Sequence, residues 1–134
     1  KSVLWLNGDV VFDVKLLDIL NEFMAKNESF VAVNTSKVGE EEVKYTLKNG
    51  YIKALSKTVK NGLGEAVGIN FISSNDVKTL INRLEDCGNN DYFERGMEMA
   101  IEKDNLKVNA VDISKFNCME IDFVEDLNEV NKSL

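Results

Sequence analysis

Two aspartates that lie far apart in the sequence stand where a metal ion could be held. Asp9 follows an apolar stretch at residues 2–6, and Asp122 follows a second apolar stretch at residues 118–121. If both stretches are strands of one sheet, the two carboxylates lie at strand ends where open α/β sheets bind ligands. Mg²⁺ prefers such oxygen ligands and completes its shell with water and phosphate oxygens. The two positions therefore predict an Mg²⁺ site that a triphosphate could complete.

The residues around these aspartates also allow a simpler interpretation. Asn7 and Gly8 can form a two-residue hairpin turn between two apolar stretches. Asp122 can cap a helix, as we expect Asp13 to do. Gly8 also has a functional interpretation, because it removes a side chain where the backbone must approach a ligand. The residue pattern alone leaves the metal loop and the turn with helix caps open.

Composition narrows the chemistry that these acids could support. The chain has no histidine, which excludes His-based catalytic triads and His-ligated zinc. Its formal net charge is −7 and no basic stripe is present, so we expect no nucleic-acid partner. No apolar run approaches the ~20 residues that a membrane span needs. Cys87 and Cys118 fit no metal spacing and are too few for a disulfide framework, which favours a reducing cytoplasm.

Alternating strand and helix patterns predict an α/β domain with a mixed, mostly parallel sheet and one β-hairpin. Strands are predicted at residues 2–6, 30–33, 43–47, 51–55, 65–72, 106–113 and 118–121, and helices at about 14–26, 77–84, 91–103 and from 123 onward. Asn49-Gly50 predicts the hairpin turn. Trp5 is expected in the core of a buried first strand. Asp122 is expected to cap the last helix in a reciprocal box with Glu125.

Five stretches, in the same order, resemble nucleotidyltransferases of the sugar-phosphate and phosphocholine type. They are LWLNGDVVFD, VKYTLKNGYIKALSK, GEAVGINFIS, NDYFERGMEMAI and CMEIDFVEDL. The first resembles the family's Gly-Asp metal loop, and the last resembles its Trp-x-Glu-Ile-Asp stretch. Within that type, the chain resembles bacterial CTP:phosphocholine cytidylyltransferases and the nucleotidyltransferases of phosphonate pathways. It departs from the family at Cys118, often aromatic in relatives, and at Phe123, where Thr or Ser is usual.

The resemblance implies a reaction. An NMP group would pass from an NTP, with CTP favoured, to a small phosphorylated acceptor, and pyrophosphate would leave. The acceptor would be phosphocholine, an aminoalkylphosphonate or a sugar 1-phosphate. Asp9 and Asp122 would be the Mg²⁺ ligands, and the loop of Asn7 and Gly8 would contact substrate.

The sequence predicts the residues that would bind the acceptor less clearly than those that would bind the metal. Lys57 either contacts a phosphate or is a solvated lysine at the hairpin edge. Glu65 either binds a sugar hydroxyl or substrate ammonium, or simply begins a strand in solvent. Tyr92 and Phe93 could face a quaternary amine through cation–π contacts, although Phe93 fits the core pattern better. Glu94 either shares that pocket or completes a helix cap.

The family begins with a Gly-rich phosphate loop that has no counterpart here. We therefore expect residues 1–134 to form a single partial domain, the C-terminal two thirds of a Rossmann-like nucleotidyltransferase domain. Calorimetry of this chain with CTP and Mg²⁺ should then show no tight binding. An exposed sheet edge should promote a homodimer.

Two other functions remain open. A metal-dependent glycosyltransferase-type domain would also bind a nucleotide sugar, but its usual signature is two acids separated by one residue, and Asp9 and Asp13 are spaced too widely. The chain could also be an α/β module that is inactive by itself.

Overall fold

The computed structural model of the chain describes residues 1–116 and 118–133. The strands are β1 (Val3–Leu6), β2 (Val10–Phe12), β3 (Phe30–Asn34), β4 (Lys44–Lys48), β5 (Tyr51–Ser56), β6 (Glu65–Ile72), β7 (Asn109–Asp112) and β8 (Cys118–Glu120). The helices are α1 (Leu16–Ala25), α2 (Val77–Asp86), α3 (Phe93–Asp104) and α4 (Val124–Ser133). Five strands follow the order β5-β4-β6-β3-β7, β1 pairs with β6, and β2 pairs with β8 in a separate ladder.

The α/β class, the mixed sheet and the β4–β5 hairpin are confirmed. Asn49 and Gly50 both have positive φ, at 55° and 84°, as a tight two-residue turn requires. The pairing is less parallel than the sequence predicted. Within the described residues β3 and β7 run parallel, whereas β6 is antiparallel to β1, β3 and β4. Strand β2 was not predicted, since three residues carry too short a pattern.

Two hydrophobic clusters cover the two faces of the sheet. Strand β3 contributes to both, because successive side chains of a strand point to opposite faces. Phe30 packs in the cluster that includes Leu16 and Leu20 of α1. Val31 packs in the cluster that includes Met97 of α3. All five side chains are fully buried, so the central strand is held between helices on both sides.

Strand β1 is not the buried strand that its apolar sequence predicted. Val3, Leu4, Trp5 and Leu6 are 39–45% exposed. The physical reason is position, because β1 lies at an edge and pairs with β6 alone among the described residues. The expectation that Trp5 lies in the core is therefore wrong. Its ring instead stacks on Phe93, with ring centroids 5.0 Å apart.

The last helix starts differently from the prediction. The Asp126 carboxylate, rather than that of Glu125, accepts the backbone N–H groups of Asp122 and Phe123, both at 3.0 Å. The cap therefore comes from inside α4, and the Asp122 carboxylate is available for other contacts. No helix in residues 1–116 and 118–133 has the length and apolar character to cross a membrane.

Candidate metal and substrate site

Three carboxylates from two chain segments converge at one point. Asp9, Glu120 and Asp122 each offer an oxygen atom, and these atoms lie within 4.8 Å of one another. Asp9 and Glu120 are half-buried, whereas Asp122 is exposed. The two sequence-predicted aspartates therefore come together in space. Glu120 was not predicted, although it is the last residue of β8 and lies two residues before Asp122.

The β2–β8 ladder explains this convergence. Val10 pairs with Glu120 in antiparallel register, and the Ile121 N–H donates to the Asp9 carbonyl at 2.8 Å. The hairpin-turn interpretation of Asn7-Gly8 is wrong, because β1 and β2 pair with different partners rather than with each other. The two residues instead carry the chain from the main sheet to the small one, with Asp9 immediately after the crossing.

The side chain of Asn7 is fixed by contacts on two sides. The Trp5 indole Nε1–H donates to Asn7 Oδ1 at 3.0 Å. The amide lies directly on Gly68, where a Cβ atom would come within 2.6 Å of Asn7 Nδ2. Gly68 also has φ of +83°, which disfavours any other residue. By contrast, a Cβ on Gly8 would meet no described atom within 4 Å, so its role toward a ligand stays a prediction.

The carboxylates of this acidic group repel one another. Burial first, and then the nearby Glu42, Asp122, Asp9 and Glu65 carboxylates, together raise the pKa of Glu120 to about 7. Burial together with Glu65 and Asp122 also raises the pKa of Glu42. Five carboxylates gathered at the ends of different elements favour binding of a positive charge.

One cavity joins this acidic group to the other predicted site residues. Its volume is about 350 Å³, and it is lined by Asn7, Asp9, Glu41, Glu42, Val43, Lys57, Ala66, Gly68, Tyr92, Glu94, Glu120 and Asp122. A neighbouring cavity of about 230 Å³ includes Glu65 and Lys37 and shares Glu42, Glu120 and Asp122 with the first. Six of the eight predicted site residues therefore line one cavity, Glu65 lies in the adjoining one, and Gly8 is beside them in sequence.

Lys57 contributes a positive charge to this cavity, and it lies against Tyr92. Its ammonium donates to the Tyr92 hydroxyl at 3.3 Å and lies 4.6 Å from the ring centroid. The hydrogen bond to Tyr92 raises the pKa of Lys57, so it stays charged at neutral pH. Glu65 has a structural contact, because its Oε2 accepts the Gly39 N–H at 3.2 Å. Phe93 packs against the core, as its pattern predicted.

Comparison with solved structures identifies the fold. The chain is similar to the inositol-1-phosphate CTP transferase of T. maritima, with TM-score 0.73 and 16% identity over 99% of this chain and 54% of that one. It is similar to a nucleoside-diphosphate-sugar pyrophosphorylase of Vibrio cholerae, with TM-score 0.71 and 10% identity over 98% and 56%. A UDP-glucose pyrophosphorylase complexed with UDP-glucose gives TM-score 0.69 and 13% identity over 99% and 56%.

These likenesses confirm the predicted nucleotidyltransferase fold. No protein-family model matches the chain, and no curated protein matches it. The chain spans little more than half the length of the three solved structures. Their nucleotides differ by name, so the fold is shared while the substrate is not defined by it.

Proposed function

We propose that the chain carries the metal and acceptor side of a nucleotidyltransferase site, in the C-terminal two thirds of a longer domain. A phosphate oxygen of a small acceptor attacks the α-phosphorus of an NTP, the α–β phosphate bond breaks, and pyrophosphate leaves. Such phosphoryl chemistry depends on positioning and charge neutralisation and needs no side-chain nucleophile. The convergence of Asp9 and Asp122 at one point supports the proposal most directly.

The donor set fits a hard divalent cation. Asp9 and Asp122 would hold Mg²⁺, and Glu120 offers a third oxygen at the same point. When bound, the ion would neutralise phosphate charge and orient the triphosphate. The raised pKa of Glu120 supports this fit, because a carboxylate that is costly to ionise alone becomes favourable beside a cation.

The remaining lining of the cavity suits a phosphorylated acceptor that also carries a positive charge. Lys57 can contact the acceptor phosphate, and the exposed ring of Tyr92 can face an ammonium group. Glu94 and Glu42 line the same cavity and can offset that ammonium. This arrangement favours phosphocholine or an aminoalkylphosphonate over a sugar 1-phosphate, and CTP is the proposed nucleotide.

A glycosyltransferase-type reaction has one observation in its favour. Glu120 and Asp122 are two acids separated by one residue, and both lie in the acidic group. Supplying UDP-sugar or CTP with candidate acceptors to the longer domain proposed above separates the two reactions, because one releases a nucleoside diphosphate and the other releases pyrophosphate.

The metal proposal is tested by Mn²⁺ binding, followed by electron paramagnetic resonance on the chain and its variants. Asp9→Asn and Asp122→Asn should each weaken Mn²⁺ binding at least about tenfold, since each removes a charged ligand. Asp13→Asn is the matched control, because Asp13 is close in sequence but its Oδ1 accepts the Lys15 N–H. Equal weakening in all three variants, or no binding by the unmodified chain, would contradict the proposed site.

We also propose a cytoplasmic setting and a homodimer. Cys87 and Cys118 are both free thiols, in line with a reducing compartment. The exposed apolar edge of β1 offers a strand for pairing with a second copy. Light scattering should give a dimer mass that a Leu4→Lys substitution on β1 lowers, and a monomer at high concentration would remove this part of the proposal.

A further inference from the structure

Within the described part of the chain, the buried ammonium group of Lys44 is surrounded by backbone carbonyl groups instead of being paired with a carboxylate. The side chain is 7% exposed, at the start of β4. Its ammonium donates to the backbone carbonyls of Lys57 at 2.7 Å, Glu40 at 2.9 Å and Glu42 at 3.1 Å, with a longer contact to Gly39 at 3.4 Å. None of the ion pairs found within residues 1–116 and 118–133 includes Lys44. The charge is therefore stabilised by main-chain dipoles.

This carbonyl cage joins two separate loops. One loop runs through residues 39–42 and places Glu42 at the candidate site. The other begins at Lys57, whose ammonium lies against Tyr92. Three N–H groups of one ammonium satisfy carbonyls on both loops at once. Without that ammonium, these partly buried carbonyls would lose the donor that they share, and the two loops would separate.

The backbone of Lys44 is held in place by the sheet. Its backbone pairs with Ser56 of β5 and with Glu65 of β6. Its stem lies against Gly62, where a Cβ atom would come within 2.8 Å of the Lys44 Cβ. Because its backbone is paired with strands on both sides, the side chain can transmit the position of the sheet to both loops.

We propose that Lys44 is a positioning residue that sets the separation of Glu42 and Lys57 across the candidate cavity. Its role in catalysis rests on the function proposed above, whereas its role in holding the loops does not. Lys44 itself does not touch the substrate, because its ammonium is enclosed by the two loops.

Chemical rescue tests the cage directly. Lys44→Ala removes three carbons and the ammonium, which n-propylammonium replaces atom for atom. Hydrogen exchange in residues 39–42 and 57–62 should accelerate about tenfold or more in this variant, because charge-assisted hydrogen bonds are lost. n-Propylammonium should restore the protection, and tetramethylammonium should not, because it has no N–H group. Lys48→Ala, an exposed position on the same strand, is the matched control.

A second readout follows the Lys57 side chain. Its terminal methylene resonances should be shifted upfield by the Tyr92 ring in the unmodified chain. The shift should decrease in Lys44→Ala and return with n-propylammonium. If Lys44→Ala does not fold, Lys44→Met provides the test, because it keeps the stem over Gly62 and removes only the donors. Unchanged exchange and an unchanged Lys57 shift in either variant would overturn the proposal.

The Mn²⁺ affinity of Lys44→Ala tests whether the carbonyl cage positions the candidate site. Losing the charge and losing the positioning would change this affinity in opposite directions. Loss of a positive charge alone would tighten Mn²⁺ binding, whereas displacement of Glu42 would weaken it. We expect binding about threefold weaker or more in Lys44→Ala, with recovery in n-propylammonium. Tighter or unchanged binding would refute positioning. If the unmodified chain binds no Mn²⁺, the proposed function fails, while exchange and the Lys57 shift still decide the role of Lys44.

Discussion

Replacing Glu120 by glutamine removes one ionisable group from the acidic cluster without changing its size. In the folded chain the pKa of this carboxyl is raised from its ordinary value of 4.5 to about 7, first by burial and then by its acidic neighbours. Between these two values the folded state keeps the proton that the unfolded state has lost. Stability therefore falls as the pH rises through this window, and the full cost is present above about pH 7.

The size of this cost follows from the shift. At about 1.4 kcal/mol per pKa unit, the change from 4.5 to about 7 corresponds to about 3 kcal/mol. Glu120 is only half-buried, so solvent screening reduces the expected cost to about 1–2 kcal/mol. For a chain of this size that corresponds to a melting temperature change of about 3–7 °C.

The assay is thermal and urea unfolding of the unmodified chain and Glu120→Gln, from about pH 5 to pH 8 in a metal chelator. The two proteins should be similar in stability at about pH 5, where Glu120 is largely protonated. At about pH 8 the glutamine variant should be more stable by about 1–2 kcal/mol. Because only the difference between the two curves is used, titration of the other acids cancels to first order.

A divalent cation should reverse this order. Saturating Mg²⁺ or Mn²⁺ should stabilise the unmodified chain more than the variant, since the ion neutralises the Glu120 carboxylate. Parallel pH curves in chelator would show that Glu120 ionises normally, and the electrostatic argument for the cation site would then be wrong.

Three further outcomes are expected. Gly68→Ala should destabilise the fold by about 1–3 kcal/mol in urea unfolding, because Gly68 has a positive φ and an added methyl would overlap Asn7. An unchanged free energy of unfolding would mean that the backbone at Gly68 and the Asn7 side chain can move to make room. Gly96→Ala should lower stability by about 1–3 kcal/mol, since the added methyl would overlap Leu84 where α2 and α3 pack, and an unchanged melting temperature would contradict that packing. Burial raises the pKa of Cys118 to about 11. Iodoacetamide should therefore modify the folded chain at Cys118 about 100-fold more slowly at pH 8 than the urea-unfolded chain, as measured by mass spectrometry. Equal rates in the folded and unfolded chains would contradict the raised pKa.

Several elements could be predicted because their signals are local. The β4–β5 hairpin follows from Asn49-Gly50 between alternating strands, and both turn residues have the left-handed backbone that the turn needs. Helix α2 follows from apolar residues at helical spacing. Strand β1 was predicted as a strand correctly but as buried incorrectly, because an apolar run does not show how many neighbours its strand will have.

The candidate site was predicted only in part. Asp9 and Asp122 were predicted, but their sequence pattern by itself was more typical of a turn and a helix cap. Glu120 does have a signal in the sequence, because it and Asp122 are two acids separated by one residue. Glu42 had none, because an acidic turn does not show which element it folds against. Lys44 looked like an ordinary alternating strand residue, and its burial depends on two loops that close over it.

The sequence by itself determined the order and type of most elements, the absence of histidine chemistry and the acids on which a metal site could be built. These properties depend on side-chain type and on spacing along the chain. The tertiary structure alone decided that residues 9, 120 and 122 meet, because pairing between β2 and β8 joins segments more than a hundred residues apart. It also decided that an ammonium is enclosed by carbonyls from two loops, since burial is a property of neighbours brought together by folding.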